Sequence, residues 1–378
     1  MIKNTTFLKL IQTILTDDDI KEIAQDLGID DASNKVTLRT VTEYMMMSAA
    51  HGWTGYRDAA DVGPAAGLIQ LNHSSLSKKL KELDYHFMKK VFEHIVHRCN
   101  RAARRKMKLA NSLLLIDSTT ITAGKSRLPW AVYHGERSGV KLHVSYSPET
   151  EMPVGVVETT GLKHDGPIGE QLADKRFVLV EDRAYFAIKR LDGFRQNRQD
   201  FVIRIKENVE LSHVKSLQRQ RLAGSNITRD ITCRLGTEQS RSEKRHRIVL
   251  FTDDEGHEIR VVTSLMDVSA EDIAAMYKAR WNIESFFRWI KQNLNVPTLF
   301  GTTENAVYTQ LYAALAAYVL LKWLHQQAKR AVPKPALSFV GFQRLLLQGA
   351  MPIQWRAAVA EFLYQKRTCH RISLSNFG

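Results

Sequence analysis

Two carboxylates follow directly on apolar runs. Leu113-Leu114-Leu115-Ile116 leads into Asp117, and Phe177-Val178-Leu179-Val180 leads through Glu181 into Asp182. Short unbroken apolar runs of this kind read as strands buried on both faces, and ligands of α/β sheets gather at strand ends. A single aspartate in such a place is an ordinary turn or helix-cap residue. Two in one sheet point instead to a metal-binding pair, because gathered carboxylates repel one another and a divalent cation between them removes the repulsion.

A third acidic residue belongs to a helical pattern. Tyr277, Arg280, Glu284 and Lys291 are spaced by 3, 4 and 7 residues. At helical pitch they fall within an arc of roughly 60° and share one face. The neighbouring stripe of Met276, Ile283, Phe287, Ile290 and Leu294 would dock that helix. The face has two readings. One is an intrahelical ladder of ion pairs. The other joins Glu284 to Asp117 and Asp182 around metal, with Tyr277, Arg280 and Lys291 gripping phosphates.

The charge of the whole chain bears on that choice. Its 378 residues carry 54 Lys and Arg against 40 Asp and Glu, a formal net charge of +14. A field of that sign attracts nucleic acid first and an acidic membrane surface second. Apolar residues make up 44%, enough for globular cores and too many for a disordered chain. Cys99, Cys233 and Cys369 are few and far apart, which argues against a disulfide framework or a structural zinc site and for a reducing compartment. The start of the chain lacks a signal-peptide pattern, and the apolar stretch 311–321 is too short to span a bilayer and reads as a buried helix. The expected location is the cytoplasm.

The elements that must position these residues follow from periodicity. The first hundred residues read as helices: around 7–27, over 37–50, a capped basic segment from Asn72 through Lys78 and Lys79, and a longer helix over 87–108 that turns basic at Arg98, Arg101, Arg104, Arg105, Lys106 and Lys108. Strands are then expected at 113–116, 140–146, 154–157, 177–180 and 201–205, with helices at 166–173 and 184–195. Three strands, helix, strand, helix, strand is the order of a mixed α/β, ribonuclease H-like layer. Residues 230–235, 247–252 and 258–263 read as antiparallel strands of a β-rich insertion. A capping box at Ser269 opens a helix reaching 293, a second helix covers 304–328, and Pro333 and Pro335 precede a helical tail.

Taken together, Tyr277-x-x-Arg280-x-x-x-Glu284-x-x-x-x-x-x-Lys291 resembles the YREK signature of the DDE transposases of bacterial insertion sequences known as insertion-sequence family four. Leu115-Ile116-Asp117-Ser118-Thr119-Thr120 is similar to that family's first Asp motif, and Glu181-Asp182-Arg183-Ala184-Tyr185 to its second. Gly301-Thr302-Thr303-Glu304-Asn305 resembles the usual continuation. The resemblance covers roughly residues 113–324. It implies a ribonuclease H-like catalytic core with the insertion between the second Asp and the Glu, in keeping with 65 residues from Asp117 to Asp182 and 102 from Asp182 to Glu284. The implied organisation is a helical DNA-binding domain at 1–108, the first part of the core at 109–206, the insertion at 207–268, the second part of the core at 269–330 and a helical region at 331–378.

The resemblance also implies an activity: binding of an element's terminal inverted repeats, end cleavage by way of hairpins, and strand transfer into target DNA. Two Mg²⁺ ions, with Mn²⁺ as a substitute, are implied on Asp117, Asp182 and Glu284, and a homodimer on double-stranded DNA, with no membrane partner, in the nucleoid of a bacterial cytoplasm. In relatives of this fold a tryptophan of the insertion stacks on a flipped base. Here the insertion holds none, leaving Phe251 as either that face or an ordinary core residue. Further candidate DNA contacts are Arg183, Lys206, Lys141 and Arg288, with His143 near the site and with His73, Ser75, Ser77, Lys78 and Lys79 for end recognition. His164-Asp165 reads as a helix start or as a pair supporting the site. Two other readings remain: a transposase-derived protein that binds DNA without cutting it, and another ribonuclease H-like nuclease.

Overall fold

A computed structural model describes residues 5–31, 35–104, 112–217, 223–294, 298–333 and 336–375. Arg105, Lys106 and Lys108 of the basic run, and Pro335, lie outside the described residues. In chain order the elements are α1 (Thr6–Ile14), α2 (Asp17–Asp26), α3 (Leu38–His51), α4 (Tyr56–Val62), α5 (His73–Glu82), α6 (His86–Arg104), β1 (Leu113–Gly124), β2 (Arg137–Ser147), β3 (Met152–Thr160), α7 (Asp165–Leu172), β4 (Val178–Glu181), α8 (Ile188–Gln196), β5 (Phe201–Arg204), β6 (Leu211–Ser216), β7 (Ile227–Leu235), β8 (His246–Thr252), β9 (Glu258–Thr263), α9 (Ala270–Lys278), α10 (Trp281–Asn293), α11 (Glu304–Ala331), α12 (Phe339–Gln348) and α13 (Ile353–Ser375). They form two compact units. One comprises residues 1–105, 124–130 and 288–378; the other comprises 106–123 and 131–287.

The first unit is helical. Local capping starts its helices and divides the stretch around 7–27 into α1 and α2. Thr16 and Asp19 close a reciprocal capping box on α2, Thr37 accepts from the Thr40 amide, and Asn72 accepts from the Ser74 amide. These side chains satisfy amides that the first helical turn leaves free. The long helix α11 is apolar around most of its circumference. Its most apolar window passes the length and composition test for a membrane span, yet it is wholly buried within the protein. It packs on α3, α5, α6, α12 and α13, the behaviour of a core helix.

The second unit is one sheet of nine strands in the order β3-β2-β1-β4-β5-β9-β8-β7-β6. β1, β4 and β5 are parallel, and β4 is buried at every position between its two neighbours. Two departures from the sequence reading lie in this sheet. First, β1 does not stop at Ile116. It continues to Gly124, because Thr119, Thr120, Ile121 and Thr122 are β-branched and suit extended backbone. Asp117 is therefore inside the strand. Only the β4 ladder ends there, its last pair being Ile116 with Glu181. Second, the insertion is not a separate layer. β9 pairs antiparallel with β5, and β8, β7 and β6 extend the same sheet outward. A single apolar core runs beneath both parts, from Leu114, Ile116 and Leu179 to Ile231, Ile248 and Val262, with Tyr185, Leu191 and Phe194 packed into it.

A buried ion pair fixes the far part of the sheet to the helix that follows. Arg247 on β8 is fully buried and makes two hydrogen bonds with Asp230 on β7, at 2.9 and 2.8 Å. Its remaining donors reach the carbonyls of Leu265 and Val268, both at 2.7 Å, in the segment entering α9. Removing one partner strands a buried charge. Asp230→Ala is expected to lower unfolding stability by about 3–5 kcal/mol, read from denaturant midpoints.

Candidate active site

Asp117, Asp182 and Glu284 all belong to the sheet unit. Asp117 and Asp182 issue from adjacent strands where the β1–β4 ladder ends. Glu284 stands in the first turn of α10. The expected single helix over 269–293 is broken: the chain tightens between α9 and α10, with Arg280 N donating to Tyr277 O at 3.0 Å and Ile283 N to Arg280 O at 3.1 Å. The Asn282 side-chain amide takes the Ala279 carbonyl at 2.8 Å. Such a turn is a 3₁₀-type constriction. Tyr277 is thus on α9, while Glu284 and Lys291 are on α10.

Arg280 leaves this turn and bridges two of the carboxylates. Its Nη1 lies 3.3 Å from Asp117 Oδ2 and 2.6 Å from Glu284 Oε1. Asp117 uses its other oxygen, Oδ1, to accept from the Ser118 amide at 2.8 Å. Asp182 Oδ1 accepts from the Ala184 amide at 2.7 Å. Burial raises the Asp117 carboxyl to about 7, and the charges of Asp182 and Glu284 push the same way against Arg280. The site holds more negative charge than its surroundings neutralise.

Three hard oxygen donors with a deficit of positive charge suit an oxygen-preferring divalent ion. As placed, no three His, Cys, Asp or Glu side chains among the described residues are close enough to enclose an ion. Arg280 supplies the positive charge between Asp117 and Glu284. The donor set fits a divalent metal in kind, and closing on one requires Arg280 to yield part of its hold.

The expected DNA contacts divide sharply. Arg183 and Lys206 are exposed and line, with Asp182, an open cavity of about 500 Å³. Tyr277 is buried, with its ring edge-on to Phe251 at 6.3 Å. Phe251 is itself 5% exposed, so it is a core residue and offers no stacking face. Trp281 is 58% exposed beside Arg280, whose guanidinium lies 5.7 Å from the indole centre. Lys141 is not aimed at solvent: its ammonium donates to Lys163 O at 2.9 Å and lies 3.5 Å from Asp165. His143 is fully buried and also faces Asp165. In the helical unit, Lys78 and Arg288 are exposed and Lys79 lies 3.7 Å from Asp31. His73 and Ser77 line a cavity with Arg57. Lys291 also falls in that unit, where burial lowers its pKa.

Two supports were not singled out from the sequence. Glu181, fully buried beside Asp182, pairs with Arg190 of α8, which also donates to Tyr185 O at 2.9 Å and so braces the turn carrying Asp182. Gly169 of α7 lies against that brace; a Cβ there would come within 2.8 Å of both Arg190 and Tyr185. A buried charged pair at a strand end looks in sequence like surface residues, which is why the signal is silent.

A raised folded-state pKa has a definite sign. From about pH 4 to about pH 7 the native carboxyl holds a proton that the unfolded chain has lost, so stability drains away as pH rises through that window. Asp117→Asn cannot ionise. Calorimetry at about pH 5 and about pH 8, without divalent ions, is expected to show the thermal midpoint of Asp117→Asn gaining on that of the parent at the higher pH.

Comparison with known proteins identifies the family. The family model described as a transposase DDE domain matches residues 108–320, a span holding all three carboxylates. A probable transposase for insertion sequence element IS5377 of Geobacillus stearothermophilus is 51% identical over the full length of both chains. A putative transposase for insertion sequence element IS4SA of Synechocystis is 29% identical over 70% of this chain and 73% of its own. Among solved structures, a piggyBac transposase synaptic complex with hairpin DNA aligns with a TM-score of 0.48 and 13% identity, covering 95% of this chain and 84% of that one. On the family match and the end-to-end relative, the chain belongs to the DDE transposases and is a DNA transposase of the insertion-sequence type.

Proposed function

We propose that this transposase binds the terminal inverted repeats of its element, cleaves the ends and joins them to target DNA, with Asp117, Asp182 and Glu284 as the catalytic carboxylates. The observation that carries this reading is Asp117 itself: a half-buried carboxyl, facing the charges of two others at the end of a parallel ladder and bridged to Glu284 by one arginine.

The chemistry supplied by two bound Mg²⁺ ions, for which Mn²⁺ can substitute, is activation of a water or DNA 3′-hydroxyl and stabilisation of the leaving oxygen in an in-line displacement. The protein's own residues do the rest. Asp117, Asp182 and Glu284 furnish the oxygen ligands. Arg280 keeps Asp117 and Glu284 in register and has further donors for a phosphate. Arg183 and Lys206 flank Asp182 and hold the backbone entering the cavity. Trp281 presents an open ring on which an unpaired base can stack during hairpin formation, since base stacking needs only a π-face. Tyr277 is a packing residue rather than a DNA contact; in the helical unit, Arg288 and Lys291 are further contacts for DNA, and Lys78 and Lys79 serve end recognition. A homodimer in the synaptic complex, acting on the nucleoid, completes the reading.

The test is cleavage and strand transfer with Mg²⁺ on DNA bearing the element's ends. The parent protein is expected to release and join the ends. Glu284→Gln is expected to bind them equally and to react roughly 100-fold more slowly or not at all. Binding by both proteins without reaction would instead mark a DNA-binding protein. Separately, Arg183→Ala and Lys206→Ala are each expected to weaken DNA binding and to reduce the slope of log affinity against log salt by about 1, measured by fluorescence anisotropy.

A further inference from the structure

A second polar network lies behind the carboxylates and takes no part in the chemistry above. Side chains alternate along a strand. On β1, Leu114 and Ile116 enter the core shared with Ile168 and Leu172 of α7, whereas Asp117 meets Arg280 on the opposite face. Ser118 returns to the α7 face, where its Oγ donates to Asp165 Oδ1 at 2.8 Å. Asp165 is the first residue of α7. It is held from β2 by Lys141 Nζ at 3.5 Å and His143 Nδ1 at 3.2 Å. Lys141 is tied in turn to Lys163 O, and His143 Nε2 lies 2.9 Å from Thr159 Oγ1.

We propose that Asp165 is a positioning residue for Asp117, acting through Ser118. The inference rests on the reading of Asp117 as a catalytic carboxylate. The β4 ladder stops at Ile116, so the peptide after Asp117 has no backbone partner on that side. The Ser118 hydroxyl supplies the missing anchor on one face. Its amide, fixed by that anchor, donates to Asp117 Oδ1 on the other. Each Asp117 oxygen then has an assigned direction, Oδ1 toward Ser118 and Oδ2 toward Arg280. The Ser118 hydroxyl is committed to donating to Asp165, a carboxylate also engaged by Lys141 and His143, which suits an anchor. The same geometry withdraws Lys141 from the DNA contacts and gives it to the support of Asp165.

The test uses the full chain with Ser118→Ala, Ser118→Thr and Asp165→Asn. Mn²⁺ binding is followed by electron paramagnetic resonance without DNA, alongside DNA affinity without divalent ions, the Mn²⁺ concentration for half-maximal cleavage, and thermal midpoints. Ser118→Ala is expected to weaken Mn²⁺ binding about tenfold and to raise the half-maximal Mn²⁺ concentration in step, with DNA affinity unchanged. Ser118→Thr is expected to restore both. Ser118→Ala leaves Asp165 with Lys141 and His143, so it decides the matter even where Asp165→Asn fails to fold. A folded Ser118→Ala with the parent's Mn²⁺ affinity and cleavage profile overturns the proposal while leaving the transposase reading intact. A parent protein that neither binds Mn²⁺ nor cleaves removes both.

Discussion

A half-buried carboxylate stands where two parallel strands part, and the surrounding structure answers the cost of withdrawing it from water. Asp117 cannot be neutralised by distance, since Asp182 follows the neighbouring strand and Glu284 arrives from the helix. An isolated buried anion is prohibitively expensive, so it must be paired, hydrogen-bonded or protonated. All three remedies are present: Arg280 pairs it, the Ser118 amide bonds it, and its raised pKa lets a proton occupy it. The arrangement is that of the active site proposed above, with its carboxylates only partly neutralised. Charge is gathered at one point of the sheet, and Arg280 is what holds it there.

The supports around it share one logic. Glu181 with Arg190, and Arg247 with Asp230, are charged pairs sealed inside the sheet unit. Such pairs are weak sources of stability and costly to break. What they provide is definition of place. Arg190 ties the strand before Asp182 to the turn after it, and Arg247 ties two insertion strands to the segment entering α9. Asp117, Asp182 and Glu284 come from distant parts of the chain, and the elements that carry Asp182 and Glu284 have their own internal anchors.

Much of this was legible in the residues. The order of strands and helices from β1 to β5, the burial of α11 and the caps at Thr37, Asn72 and Ser269 follow from periodicity and local hydrogen bonding. The strand through Asp117 was read short because its apolar run ends at Ile116; the following threonines extend the strand by backbone preference alone. β6 was missed because Leu211–Ser216 is polar and exposed, as suits an edge. The break before α10 has no glycine or proline to announce it. The Asp165 network joins residues 22 to 47 positions apart, and no one-dimensional spacing rule connects them. Phe251 could not be sorted between core and stacking face until its burial was known.

The attachment of the insertion has a consequence for how such enzymes diversify. The chain leaves β5 for the outer edge at β6, then steps inward through β7 and β8 to β9, which pairs with β5 again. Departure and return are thus stitched to the same strand, and α9 begins from that seam. Only the rim is then free to vary: β6 is largely exposed, whereas β7 and β8 share the core and are tied through Asp230 and Arg247 to the segment entering α9, so changes of length at the outer edge leave the placement of Glu284 untouched.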